Sequence, residues 1–92
     1  MKPSELMLKG YAMVGKQCKG RYYAGPNGRN PTAVCAVGAI RLAATGNAIG
    51  SSPEADDAKA RWLGLFGQAI DGANDEGMLI EDIAGILASE GM

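Results

Sequence analysis

The stretch from Asn30 to Gly46, NPTAVCAVGAIRLAATG, constrains the fold more than any other part of the chain. Between its ends the only polar side chains are Thr32, Arg41 and Thr45. A surface helix carries a polar stripe, and one without it is surrounded by other elements. Asn30 suits an N-cap, because its side-chain oxygen can accept from a free backbone N–H of the first turn. Pro31 suits the first helical position, where a missing N–H costs nothing. Gly46 suits the left-handed residue that closes a helix. The pattern therefore predicts a buried helix over about 31–45. Ala33, Ala36, Gly38, Ala39, Ala43 and Ala44 are small enough to let neighbouring helices approach. At about 15 residues, and carrying Arg41, the stretch is too short and too charged to span a bilayer, which needs about 20 apolar residues.

The remaining segments predict three more helices around this one. Leu6, Met7, Gly10, Tyr11 and Val14 recur at helical spacing, which places a first helix from about Ser4 to Lys16. Ser52 and Pro53 repeat the Asn30-Pro31 device, and Glu54, Asp56 and Asp57 follow in the first turn, where the helix dipole favours acids. Ala55, Ala58, Trp62, Leu65, Phe66, Ala69 and Ile70 then mark the apolar face of a third helix ending at Asp71. After a loop over Ala73–Gly77, Leu79, Ile80, Ile83, Ile86 and Leu87 form the buried face of a last helix. The expected architecture is a single all-α domain over residues 1–92, a four-helix fold around the central one.

Residues 17–30 form an irregular basic loop with a strong turn signal at Gly25-Pro26-Asn27-Gly28. Arg21-Tyr22-Tyr23-Ala24 suits a short extended piece. No partner strand is expected for it, because Asn30-Pro31 already opens the central helix, so a hairpin is not expected.

Charge is unevenly distributed. Residues 1–46 carry seven bases and one acid, a net of +6, while residues 47–92 carry two bases and nine acids, a net of −7. One reading is that the halves pack together and neutralise one another. The other is a bipolar surface that binds an anionic partner or self-associates as a homo-oligomer.

Catalytic signals are sparse. The chain has no histidine, so a Cys–His or Ser–His pair is excluded within one chain. Two cysteines do not make a disulfide framework, and there is no C-x-x-C metal spacing. The segment Asp71–Asp82 resembles a calcium loop, but neither register that starts it puts acids and glycine where the ion needs them. No metal, cofactor or catalytic residue is therefore assigned. Met1–Glu5 shows no signal-peptide pattern, so the default compartment is the cytoplasm, where both thiols are reduced.

Two groups of residues remain as candidate binding sites. Lys16, Lys19, Arg21, Tyr22, Tyr23 and Arg29 interleave bases with aromatics, a composition suited to phosphate contacts and base stacking. Cys35, Asn74 and Asp75 could line a groove between the central helix and the last loop, and Asn74 or Asp75 could equally satisfy free N–H groups there. Lys16, Lys19 and Arg21 also surround Cys18, and nearby cations lower a thiol pKa. A thiol-dependent role for Cys18 or Cys35 is the sharper reading of these cysteines, and packing as small hydrophobes is the plainer one.

Several elements in combination resemble a family of small uncharacterised proteins from bacterial and phage genomes. They are an opening helix near Lys2-Pro3-Ser4-Glu5-Leu6, Gln17 with Gly20 and a tyrosine, the run Cys35-Ala36-Val37-Gly38-Ala39-Ile40, then Asn74-Asp75 and a closing helix. The C-A-x-G-A-[IL] run is the most distinctive. A tryptophan commonly precedes a Gln-x-Gly element in that family. Here Lys16 stands in its place, and Cys18-Lys19 separate Gln17 from Gly20. The resemblance implies a phage or prophage setting and transfers no catalytic residues. The leading functional expectation is a small non-enzymatic interaction protein binding a host protein. The alternatives are a nucleic-acid binder working through the loop at 16–29, and a ligand-binding or thiol-dependent domain using Cys18, Cys35, Asn74 and Asp75.

Overall fold

A computed structural model describes residues 1–92. Five helices and a two-stranded sheet follow in the order α1 (Pro3–Val14), β1 (Tyr23–Ala24), β2 (Ala33–Val34), α2 (Ala36–Thr45), α3 (Pro53–Phe66), α4 (Ile70–Asp75) and α5 (Ile80–Ser89). The fold is mostly helical, as expected, with one helix more than the four predicted. No helix is long and apolar enough to cross a membrane.

The apolar centre holds, but its first residues are not helical. Pro31 to Val34 are not helical, and β2 pairs antiparallel with β1 through Tyr23 opposite Val34 and Ala24 opposite Ala33. Gln17 bridges to the other edge of Val34 in parallel. The segment is thus held on both sides. Val34 donates its N–H to the Lys16 carbonyl at 3.0 Å and accepts from Cys18 N–H at 2.9 Å, while Thr32 and Cys35 donate to the carbonyls of Ala24 and Tyr22 at 2.8 and 3.1 Å. The expected absence of a hairpin and the expected start of the helix at Pro31 are both overturned by this pairing. Asn30 caps no helix; its N–H is taken by the Asn27 side chain at 3.1 Å, within the turn. Cys35 is the N-cap instead, its sulfur accepting from Gly38 N–H at 3.3 Å. The far end is as predicted, with Gly46 in the left-handed region at φ 79°.

Within α2, Ala36 to Ile40 and Leu42 are buried, and the last turn emerges into solvent. Small residues explain how its neighbours come so near. A Cβ on Gly10 of α1 would overlap the Ala39 carbonyl, and one on Gly38 would overlap the Tyr22 carbonyl. α1 buries Leu6, Met7 and Gly10 against this surface, and α5, which packs on α1 rather than on α2, buries Ile80, Ile83, Ala84 and Leu87. Apart from Gly10, these belong to one cluster of 19 buried apolar residues, in which Trp62 is the bulkiest.

α3 begins as its sequence signals, with the Ser52 hydroxyl accepting from Ala55 N–H at 3.2 Å. That hydroxyl also donates to Glu54, and these local hydrogen bonds, led by the Glu54 backbone N–H, hold the Glu54 carboxyl below its usual range. The helix stops at Phe66, five residues before the expected end at Asp71, because Gly67 takes a left-handed φ of 68° and closes it onto the Leu63 carbonyl. Only Ala55, Ala58 and Trp62 are buried from α3. Leu65, Phe66 and Ala69, expected in the core, are exposed, as is Leu79 at the start of α5. Phe66 instead flanks Trp62 from outside, with ring centroids 4.6 Å apart. Ile70 is buried through a separate short helix, α4, in the region expected to be a loop.

The two charged halves pack together without pairing. One ion pair exists, Arg61 to Glu90 at 2.8 Å, and both partners come from the acidic half. Neutralisation by direct contact between the halves does not occur.

Candidate ligand pocket between the basic loop and α4

Asn74 joins three separated parts of the chain. It is fully buried at the end of α4. Its Oδ1 accepts from Ala36 N–H at 3.0 Å and from Gln17 Nε2 at 2.9 Å, and its Nδ2 donates to the Cys18 carbonyl at 2.8 Å. Gln17 extends the network by donating to the Met78 carbonyl at 2.8 Å and accepting from Ile80 N–H at 2.9 Å. The chain is therefore locked at the starts of α2 and α5 and along the strand-like segment at 16–18. Buried amides of this kind persist only when every donor and acceptor is met, and here they are.

Next to this network is a cavity of about 270 Å³, lined by Gly20, Arg21, Tyr22, Cys35, Asp71 and Asp75. Each wall has a local cause. Gly20, at φ 74°, turns the backbone so that its N–H donates to Asp75 Oδ1 at 2.7 Å. The Tyr22 carbonyl is fixed by Cys35 N–H, and the Tyr22 ring lies under the Arg41 guanidinium, 4.6 Å from the ring centre. Cys35 contributes a sulfur tied to the first turn of α2. Asp71 contributes a carboxylate from the first turn of α4.

The charges in this cavity are not satisfied by one another. Asp71 Oδ1 is buried and has no hydrogen-bond partner. Arg21 is exposed and forms no ion pair with either acid. Burial pushes the Cys35 thiol up to about 11, and the Asp71 carboxylate adds to the rise. Burial also raises Cys18, outweighing the pull of Arg21 toward thiolate, with Asp75 opposing that pull. The expectation that cations around Cys18 would lower its pKa is thus reversed, because burial outweighs them.

The structure brings together members of both candidate groups. Arg21 and Tyr22 from the basic loop meet Cys35 and Asp75 around one cavity, with Asn74 behind its wall rather than in it. Lys16 and Lys19 are exposed, Tyr22 and Tyr23 are half-buried, and Arg29 lies apart along a shallow groove with Met13, Val14 and Pro31. Asp71, Gly20 and the wiring of Gln17 were not singled out as site features by their sequence positions. Asp71 reads in sequence as the end of α3, and only the break at Gly67 turns it into the first turn of a new helix facing the basic loop. No three metal-ligating side chains lie together.

A model for a family of unknown function, DUF6197, matches residues 13–83. The chain belongs to this family. The DUF6197 match contains the whole Gln17–Asn74 network and every residue of the cavity, and leaves most of α1 outside. No curated protein matches the chain, and no solved structure does.

Proposed function

We propose that the chain is a small non-enzymatic binding domain that takes a polar ligand in the cavity between the basic loop and α4. The observation that carries this reading is the convergence of Arg21, Tyr22, Cys35, Asp71 and Asp75, from three distant stretches of sequence, around one cavity. A preformed concave site with a few convergent polar groups is the usual form of a small-ligand site, and 270 Å³ is near the lower end of such sites. The absence of histidine and the raised thiols weigh against a catalytic role. Amide chemical-shift mapping of the full chain against a library of small polar compounds tests the reading. Shifts centred on Gly20, Arg21, Cys35 and Asp71 are expected, and a library that leaves all four unmoved removes it.

A second reading keeps the interaction protein expected from the sequence, a phage or prophage accessory factor acting on a host protein in the cytoplasm. The resemblance supports the setting. Leu63 and Phe66, exposed one turn apart near the end of α3, support a protein-facing surface. Capture of one host protein by the parent chain but not by a Phe66→Asp variant would favour this reading. Equal capture by both would count against it.

A further inference from the structure

The cavity carries opposite charges that do not touch, and this narrows what fits it. Asp71 lines the cavity with a carboxylate that forms no ion pair within the protein. A ligand donor that reaches this carboxylate makes a charge-assisted hydrogen bond. Asp75 lines the same side, with one oxygen already held by Gly20 N–H and the Asn74 amide. Arg21 lines the cavity too, and no carboxylate lies within ion-pair distance of it. A cation alone would satisfy Asp71 and leave Arg21 unmatched. An anion alone would do the reverse and meet two carboxylates. A compact molecule with an ammonium at one end and an anionic group at the other meets both.

We propose that the site takes a small zwitterion of amino-acid size, its ammonium donating to Asp71 and its carboxylate or other anionic group accepting from the Arg21 guanidinium. This rests on the cavity being the binding site and adds the chemical class of its ligand. Arg21 supplies a planar fork suited to a two-pronged contact with an oxyanion. The volume of about 270 Å³ accommodates a molecule of this size. Tyr22 and Cys35 supply the less polar part of the lining for a short carbon chain between the two charges.

The test uses the isotope-labelled full chain and three probe classes matched in length. Glycine, β-alanine and 4-aminobutyrate form the zwitterionic series, butylammonium is the cation, and butyrate is the anion. At least one zwitterion is expected to move the Gly20, Arg21 and Gly72 amides with about tenfold tighter affinity than either single-charge probe, because it makes two charge-assisted contacts instead of one. Arg21→Gln, on an exposed side chain that does not support the core, is expected to reduce that affinity about tenfold while leaving the rest of the spectrum in place. Asp71→Asn is expected to do the same from the other end. Equal binding of butylammonium or butyrate, or no zwitterion binding while other compounds still map to the cavity, overturns the zwitterion assignment alone. No binding by any compound overturns the site with it.

Discussion

Asn74 Oδ1 accepts the N–H of Ala36, the first residue of α2, at 3.0 Å, so the central helix is capped by a side chain 38 residues away in sequence. The local cap at Cys35 reaches only Gly38. The start of the central helix therefore depends on the docking of α4, and the cavity beside Asn74 inherits its shape from that docking. Gln17 shares the same oxygen and carries the coupling on to α5.

Removing this amide should be among the most damaging single changes in the chain. Asn74→Ala leaves Ala36 N–H and the Cys18 carbonyl without their partner, and is expected to cost about 2–4 kcal/mol in urea unfolding. Gln17→Ala should cost about 1–3 kcal/mol by the same reasoning. The two losses share a network, so the double variant should fall short of their sum by at least about 0.5 kcal/mol. Additive losses would mean that the two amides act independently.

Glycines in the helices should separate into two kinds. Gly38→Ala pushes a methyl group into the Tyr22 carbonyl, and Gly10→Ala pushes one into Ala39, where backbone on both sides must move. Each is expected to cost about 1–3 kcal/mol. A Cβ at Gly64 in α3 meets open space, so Gly64→Ala should stabilise by about 0.5–1 kcal/mol through helix propensity alone. Denaturant midpoints of the three variants decide the matter, and a shift of the same sign for all three would refute the distinction.

The Cys35 thiol gives a defined alkaline signature. Its pKa is raised from 9.0 to about 11, chiefly by burial, so the folded state holds the proton more tightly than the unfolded chain. The stability this provides is fully present below pH 9 and is lost as pH rises through 11. The loss is on the order of 2–3 kcal/mol at full ionisation. Cys35→Ser retains a capping oxygen that stays neutral in this window. The difference between parent and variant should be flat up to pH 9 and then shrink toward 11. A difference that stays constant across that range would contradict the burial argument.

Much of the outline was legible from residue patterns. The face of α1 at Leu6, Met7 and Gly10, the Ser52-Pro53 start of α3, and the face of α5 at Ile80, Ile83 and Leu87 all follow from spacing and caps that act within a few residues. Leu65 and Phe66 continue the α3 period but project past the core, and periodicity cannot say where a neighbouring element ends. Asp71 was legible as an acid near a helix boundary. Its place opposite Arg21 depended on the turn at Gly67 and on the fold of the basic loop, both set by contacts distant in sequence.

By itself the sequence placed the buried centre of the chain within 31–45, where Ala33–Ile40 and Leu42 are buried while Ala44 and Thr45 are exposed, and it marked the small residues that admit close neighbours and the helix end at Gly46. Only the tertiary structure decided what Pro31 to Val34 would be. Locally, Asn30-Pro31 signals a helix start, but a cap contributes only about 1 kcal/mol. The extended alternative gains four backbone hydrogen bonds to two separate segments and buries Val34 completely. Those partners exist only once residues 16–18 and 22–24 have come alongside, which no local signal in the stretch records.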